Sequence, residues 1–260
     1  MSEPWALRLF DKSPLKRDKV SALLSVLGSA NGKRCLDLGS DNGVVSLLLR
    51  RQGGSWASGD LTLDTVDAIR GLVETDVHLV TERRLPFNDA EFDVIVVADM
   101  IEHVENERAF VAEIARVLKT DGKLIVNTPH ARDTWLRKLR LALGQTDEKH
   151  GHARPGYTRE SLSALFEPTF AVRETKTYTK AFSETIDTAM QWGLETLGKK
   201  GSKKGVVVTG DDLSRHAKLF RAYSAVFPFV WAFSRLDALL PLNDGYRLLL
   251  VATKIRAGTT

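Results

Sequence analysis

The chain has 260 residues, of which 43% are hydrophobic and 27% are charged, and these proportions exclude a disordered, fibrous or disulfide-rich protein. A single cysteine, Cys35, excludes a cysteine-cluster metal site, and a formal net charge of +4 is too small to indicate nucleic acid as an obligatory partner. The chain has no apolar run of about eighteen residues and its first residues are polar, so we expect a cytoplasmic protein.

The first half of the chain alternates between helical and extended patterns. Apolar residues at Val20, Leu23, Leu24 and Leu27 predict an amphipathic helix that ends near Gly28. Strands are predicted at KRCLDLGS, SWASGD, HLV, FDVIVVAD and KLIVNTP, and helices at VVSLLLRR, LDTVDAIRGLV and ERAFVAEIARVLK. Strands that alternate with helices of this length are typical of a doubly wound α/β fold with a mostly parallel sheet.

The pattern changes after Pro129. A helix capped by Thr158 is predicted at YTRESLSALF, and two further strands at FAVRETKTY and YRLLLVATKI complete a seven-stranded sheet. The stretch between these two strands is mostly helical in pattern. We therefore expect a core of residues 1–180 with 242–260, interrupted by a helical insertion at residues 181–241.

The segment CLDLGSDNG, residues 35–43, places glycines at the turn between the first core strand and its helix. Gly39 and Gly43 allow the backbone to approach a ligand closely, and the helix that follows offers free N–H groups. Asp60 ends the second strand, where a carboxylate can accept hydrogen bonds from both ribose hydroxyls. Asp41 stands where a dinucleotide's pyrophosphate would lie, which disfavours NAD and an oxidoreductase.

CLDLGSDNG, LPFNDAEFDVIVVADMIEHVEN and AEIARVLKTDGKLIVNTPH together resemble the motif blocks of class I S-adenosylmethionine-dependent methyltransferases of the type 11 group. The likeness runs from about Lys33 to His130. It implies a Rossmann-like methyltransferase fold and S-adenosyl-L-methionine as the cofactor.

The resemblance also implies roles for individual residues. Asp37 would orient the first loop and line the methionine end of the cofactor with Gly39 and Ser40. The remaining cofactor residues implied are Asp41 and Gly43 in the same loop, Asp60 at the ribose, Leu61 beside the adenine, and Asp99 and Met100 below the sulfonium. Where the family often has an aspartate near the adenine this chain has Thr81, so the neighbouring Glu82 becomes the candidate for that contact.

A hydroxyl acceptor must lose its proton during methyl transfer, and a neutral imidazole is a suitable base. His103, which borders the transfer site by resemblance, is the predicted base, with His130 and His152 as alternatives. Related enzymes use a His–x–Arg–x–x–Tyr-like stretch on the acceptor side, which here suggests His152, Arg154 and Tyr157.

Asp99, Glu102 and His103 have the i, i+3, i+4 spacing of a helical turn and could ligate a divalent cation. The spacing resembles that of ubiquinone-pathway O-methyltransferases. The Glu–His pair is widespread in the larger group without a metal, so we predict no metal site.

The insertion contains the aromatic stretch LFRAYSAVFPFVWAFSRL, residues 219–236, which Pro228 and two arginines make too short and broken to span a bilayer. Three interpretations remain open: a lid over the active site, an interfacial membrane patch that acts with the basic run KKGSKKG at 199–205, or a homodimer interface. The first two indicate an apolar or lipid-linked acceptor, and the second places the protein at the inner face of a membrane.

The sequence thus predicts an S-adenosylmethionine-dependent methyltransferase that methylates oxygen on a small or lipid-linked acceptor. The alternative is a non-catalytic scaffold or sensor that keeps the cofactor pocket. Nucleic-acid methylation is not expected, because the chain has no Asn/Asp–Pro–Pro–aromatic tetrapeptide for an extruded base.

Overall fold

The computed structural model describes residues 4–147, 151–167, 169–196, 217–240 and 244–256. Seven strands form one sheet in the order β3-β2-β1-β4-β5-β7-β6. They are β1 (Arg34–Leu38), β2 (Ser55–Asp60), β3 (Val77–Leu79), β4 (Phe92–Ala98), β5 (Leu118–Pro129), β6 (Phe170–Tyr178) and β7 (Arg247–Lys254). Strand β7 runs antiparallel to both β5 and β6, and the other pairs are parallel. The predicted doubly wound, mostly parallel sheet is confirmed.

Helices cover both faces of this sheet. They are α1 (Trp5–Asp11), α2 (Pro14–Leu27), α3 (Val44–Arg50), α4 (Leu63–Val73), α5 (Glu107–Val117), α6 (Trp135–Ala142), α7 (Arg159–Phe166), α8 (Ala181–Thr196) and α9 (Ala217–Arg235). Several helix ends follow from the sequence: Gly28 ends α2 with a positive φ of 70°, and Thr158 with Ser161 forms a capping box at α7.

The central strands are buried because each contributes side chains to two hydrophobic clusters. Ile95 and Val97 of β4 pack with Phe110 and Phe166 on the face covered by α5 and α7. Val94 and Val96 of the same strand pack on the other face, where α2 and α3 supply their apolar stripes. Such a strand has apolar residues at successive rather than alternate positions, and in FDVIVVA every residue but Asp93 is apolar.

The strand order reverses between β1 and β4, and the chain leaves each of these strands toward opposite faces of the sheet. The carboxyl ends of β1, β2, β4 and β5 therefore border one crevice, which is where open α/β sheets bind ligands. Gly39, Asp60, Asp99 and His130 follow or end these four strands.

Helices α8 and α9 lie between β6 and β7 in the chain. Asp237, just after α9, accepts hydrogen bonds from the backbone N–H groups of Lys180, Phe182 and Ser183 at the start of α8. The basic run at 199–205 lies outside the described residues. Among the helices described, none combines the length and apolarity needed to cross a bilayer.

Candidate functional site

Two adjoining cavities open at this crevice. The main cavity, of about 330 Å³, is lined by Ser13, Leu15, Lys16, Lys19, Gly39, Asp41, Asp60, Leu61, Thr62, Thr65, Asp99, Met100, Glu102, His103, Pro129, Arg140, His152, Asp187, Tyr246 and Arg247. The smaller side cavity, of about 40 Å³, adds mainly polar residues: His130, Arg132, Thr134, Arg137, Gln145, Asp147 and Glu184. Four residues line both cavities, so the side cavity adjoins the main one: Pro129, Arg140, His152 and Tyr246.

The loop after β1 is shaped by residues with positive φ. Gly39 has a φ of 85°, and a Cβ at this position would lie 2.3 Å from the carbonyl oxygen of Ala98. Gly43 has a φ of 82°, and a Cβ there would lie 2.8 Å from the Cα of Ile69. Asp41, at a φ of 55°, lines the main cavity. Both glycines therefore allow the loop to pass close to its neighbours.

Replacing Gly39 by alanine is expected to lower the free energy of unfolding by about 2 kcal/mol or more, since the Cβ meets rigid backbone and the φ is unfavourable. Gly71 is the matched control: it lies inside α4, and a Cβ there meets nothing within 4 Å. Gly71→Ala should stabilise the protein by about 0.5–1 kcal/mol. Urea denaturation of both variants measures the difference, and an equal effect of the two would contradict this account of the loop.

Asp37 lies beneath the loop and is fully buried. Its carboxylate accepts hydrogen bonds from the hydroxyls of Ser40, Ser46 and Ser58, the last at 2.7 Å, and pairs with Arg50. Asp37 thus orients the loop as expected. Asp37 and Ser40 bind each other below the loop and are not among the residues that line the main cavity, and their place at the methionine end of the cofactor stays a prediction. Gly43, the N-cap of α3, likewise acts through the backbone.

Asp60 ends β2 and faces the main cavity with 8% of its surface exposed. Its Oδ1 accepts the backbone N–H of Leu61 at 2.7 Å. Burial raises the pKa of Asp60, against hydrogen bonds from Thr65 and Leu61 that favour the carboxylate. Leu61 is partly buried beside it in the cavity wall. An acid and an apolar side chain so placed fit a ribose and a base.

Glu82 has a structural role that differs from the predicted adenine contact. Its Oε2 accepts the backbone N–H groups of Glu105 at 2.9 Å and Asn106 at 3.1 Å, just before α5. The carboxylate therefore fixes that loop, and Glu82 lies outside the lining of the main cavity. The position of Glu82 in the sequence, next to Thr81, indicated a place near the cofactor. Nothing in the sequence indicated these backbone partners.

Asp99 follows β4 with a φ of 50° and reaches the cavity beside Met100. Asn127 donates to its Oδ1 at 2.7 Å, and Arg247 and Lys19 pair with it at 2.9 and 2.8 Å. Burial opposes its ionisation, but the charges of Arg247 and Lys19 outweigh burial and hold the pKa of Asp99 well below its usual range. Both carboxylate oxygens of Asp99 therefore already accept hydrogen bonds from other side chains of the protein.

Glu102, His103 and His152 each offer a ligand atom within 4.8 Å of the other two. Glu102 is 1% exposed, its Oε2 accepts from Thr128 at 3.1 Å, and its buried Oε1 has no partner among the described residues. Burial and then the charge of Asp99 raise the pKa of Glu102. These three residue types could also hold a divalent cation, with His152 in the place that spacing alone had given to Asp99.

His103 is held in one tautomer. Its Nδ1 lies 2.9 Å from the carbonyl oxygen of Gly151, and since a carbonyl only accepts, Nδ1 carries the proton of the neutral ring. Nε2 then keeps a lone pair. The ring also contacts that of His152, with 4.7 Å between centroids. A neutral imidazole in this state can accept a proton in the main cavity.

Three other predicted residues lie elsewhere. His130 lines the side cavity, where its Nδ1–H donates to Gly245, and burial lowers its pKa. Arg154 donates to Tyr157 at 2.8 Å and pairs with Glu107 at 2.9 Å. Arg154 also donates to the Ile101 carbonyl, so the pair supports the turn that carries Glu102 and His103. The acceptor role of Arg154 and Tyr157 stays a prediction.

The structure adds lining residues that the sequence did not single out. Lys16 and Lys19 of α2, Asp187 of α8 and Arg247 of β7 all face the main cavity. The polar face of α2 could have indicated the two lysines. Asp187 and Arg247 come from segments far along the chain, and only the folded topology brings them to the site.

Residues 12–169 match the family model described as "Methyltransferase domain". Over 122 residues the chain is 33% identical to the ubiquinone biosynthesis O-methyltransferase of Xylella fastidiosa strain M23, covering 45% of this chain and 48% of that protein. It is 29% identical over 108 residues to the demethylmenaquinone methyltransferase of Tropheryma whipplei strain Twist, covering 40% and 45%. The match therefore spans about half the length of these relatives.

Solved structures share the fold at low identity. An S-adenosylmethionine-dependent methyltransferase from Mesorhizobium loti aligns with a TM-score of 0.53 and 16% identity, covering 90% of this chain and 96% of that one. The cyclase SpnF aligns with a TM-score of 0.57 and 18% identity, covering 93% and 82%. Because a cyclase shares this fold, the reaction has to be argued from the site.

Proposed function

Since this chain belongs to the family of class I methyltransferase domains, we propose that it transfers a methyl group from S-adenosylmethionine to an oxygen of a small or lipid-linked acceptor. The observation that carries the proposal is that one cavity is lined by both Asp60 and His103. A carboxylate there can bind the ribose of the cofactor, and a neutral imidazole can take the proton of a hydroxyl acceptor.

The lining residues fit the cofactor. Asp60 would accept the ribose hydroxyls, Leu61 would pack on the adenine, and Met100 would lie beside the methionine chain. Lys16, which lines the same cavity near Asp41, supplies a cation for the cofactor's carboxylate. The bound cofactor supplies an electrophilic methyl group.

The protein's own contribution is positioning and proton transfer. Holding two reactants in line contributes about 7–11 kcal/mol in favourable cases. His103, with Nδ1 bound to Gly151, would take the acceptor's hydroxyl proton at Nε2. Glu102 and His152 lie beside it, where they would orient the acceptor. His130, in the side cavity, would contact the acceptor away from its reacting oxygen.

The side cavity indicates the polarity of the part of the acceptor that would enter it. It presents three arginines, two histidines, Gln145 and two carboxylates. Arg132 and Gln145 each have a buried atom without a partner among the described residues. These groups favour a polar, hydroxyl-bearing head. The relatives are named for ubiquinone biosynthesis and for demethylmenaquinone, which agrees with a small or lipid-linked acceptor.

The test is incubation of the protein with a methyl-labelled donor and a cell extract, read by mass spectrometry. We expect a labelled product whose new methyl group is on oxygen. An Asp60→Ala sample processed in parallel, at a donor concentration near the Kd of the unaltered chain, should give far less. Tight binding of S-adenosylhomocysteine without any transfer into extracts of the source cells would favour the scaffold or sensor instead.

A further inference from the structure

Tyr246 lies where the main cavity and the side cavity meet, just before β7, and it lines both. Its backbone N–H donates to the carbonyl of Thr179 at 2.6 Å, and its own carbonyl accepts the N–H of His130 at 2.9 Å. Thr179 follows β6 and His130 follows β5. The backbone of Tyr246 is therefore held at the edge of the sheet that borders the site.

Two arginines hold the ring of Tyr246. The guanidinium of Arg140 lies 4.9 Å from the ring centroid and that of Arg247 lies 5.1 Å from it. Both are cation–π contacts. An N–H of Arg140 also donates to the phenol oxygen. The position of the ring is thus set by contacts within the protein.

The phenol proton of Tyr246 has no acceptor among the residues that the structure describes. The chain has four tyrosines, and the hydroxyls of the other three each donate to an oxygen of the protein. These pairs are Tyr157 with Glu107, Tyr178 with Asn127 and Tyr223 with Lys12. Burial raises the pKa of Tyr246, against the charges of Arg247 and Arg140. The phenol therefore keeps its proton and can donate it to a ligand in the cavities.

This donor lies near the predicted base. His152 also lines both cavities, and its ring contacts that of His103 with 4.7 Å between centroids. An acceptor with its hydroxyl at His103 and its polar end in the side cavity has to cross the junction that Tyr246 lines. Tyr246 can then donate to an oxygen of the acceptor other than the one that is methylated.

The charges around the side cavity are balanced. Each of its three arginines faces a carboxylate: Arg132 with Glu184 at 2.9 Å, Arg137 with Asp147 at 2.7 Å and Arg140 with Asp187 at 3.9 Å. Burial lowers the pKa of His130, so this imidazole is neutral at pH 7. Because each of these guanidiniums already has a negative partner, the junction favours an uncharged oxygen over a carboxylate or a phosphate.

We propose that Tyr246 selects the acceptor by donating its phenol proton to an uncharged oxygen of that molecule: a carbonyl, an ether or a second hydroxyl. The inference rests on the proposed methyl transfer and narrows its substrate class to hydroxyl compounds that carry a second oxygen. An acceptor without that oxygen would displace water from the phenol and leave its proton without a partner, which costs free energy.

The experiment compares Tyr246→Phe with the unaltered chain, and its probe is the purified acceptor that takes up the labelled methyl group from the cell extract. Phenylalanine keeps the ring between the two guanidiniums and removes only the hydroxyl. We expect KM for this acceptor to rise about 3- to 10-fold, the effect of one uncharged hydrogen bond, with kcat within about 3-fold. Affinity for S-adenosylhomocysteine should not change. Mass spectrometry of the labelled product should show an oxygen besides that of the new methoxy group.

Tyr223→Phe is the matched control, because Tyr223 donates to the carbonyl of Lys12 at 2.7 Å and lines neither cavity. It should keep the KM of the unaltered chain, and thermal unfolding checks that both variants fold. An unchanged KM in Tyr246→Phe, or a product without a second oxygen, would overturn the proposal. A rise in KM well above 10-fold would overturn the uncharged oxygen in favour of an anionic one. If the unaltered chain transfers no label, the proposed methyl transfer itself fails, whereas transfer with an unchanged KM in the variant removes only the role of Tyr246.

Discussion

Replacing Asp60 by alanine is expected to lower the affinity for S-adenosylhomocysteine at least about 100-fold, since each charge-assisted hydrogen bond contributes about 1.5–3 kcal/mol and a ribose offers two hydroxyls. Asp60 is the carboxylate at the end of β2 in the cavity wall, next to Leu61. Isothermal titration calorimetry with the unaltered chain and the variant measures the loss directly.

Asp67→Ala is the matched control for this substitution. Asp67 lies on α4, the helix that follows β2, but its side chain is 71% exposed and pairs with Arg70 at the surface. We expect its affinity to stay within about 2-fold of the unaltered chain, because an exposed ion pair contributes little. Full affinity in Asp60→Ala would remove Asp60 from the ribose.

The sheet could be predicted from the sequence because its information is local. β-branched runs such as FDVIVVA identify strands buried on both faces, and the amphipathic spacing of Val20, Leu23 and Leu27 identifies α2. Gly39 and Asp60 could be predicted for the same reason: each follows a strand end, and parallel strands that carry such ends share one edge.

The partners of the site residues could not be predicted, because they are set by distant parts of the chain. Asp99 was expected below the sulfonium of the cofactor, and the sequence did not indicate that Lys19 and Arg247, 80 and 148 positions away, bind its carboxylate. Asp99 is bound by these two cations, and the residue that joins Glu102 and His103 in a cluster of potential metal ligands is His152. His152 lies in the loop before α7. The spacing of residues within one helical turn does not indicate contacts with residues from distant parts of the chain.

The same reason explains why the partners of Glu82 and Arg154 could not be predicted. Both lie in segments that resemble the family's motifs, but their charges are used by nearby backbone and by Glu107. A motif predicts where the backbone of a residue lies. Which group the side chain binds depends on the neighbours that the fold brings to it. The core and insertion boundaries at 181 and 241 stay a prediction, as does the contribution of the basic run at 199–205.

Replacing His103 by asparagine is expected to lower kcat about 100- to 10,000-fold, the usual contribution of a positioned general base. Asparagine keeps an N–H that can donate to the Gly151 carbonyl, which His103 Nδ1 meets at 2.9 Å, but it has no basic nitrogen. Affinity for S-adenosylhomocysteine should stay within about 2-fold, since the base acts on the acceptor. Initial rates with the acceptor identified by labelling, together with calorimetry, measure the two quantities separately.

His130→Asn provides the control, because His130 also donates through Nδ1 to a backbone carbonyl but lines the side cavity. It should raise KM for the acceptor and keep kcat within about 10-fold. If His103→Asn retained full kcat, the imidazole would not be the base.

Loss of activity of the unaltered chain with a chelator, and its recovery with a divalent cation, would instead assign His103, Glu102 and His152 to a metal, since their ligand atoms lie within 4.8 Å. A divalent cation held by these residues would lower the pKa of the acceptor hydroxyl, so that a base weaker than an imidazole, such as water, could take its proton.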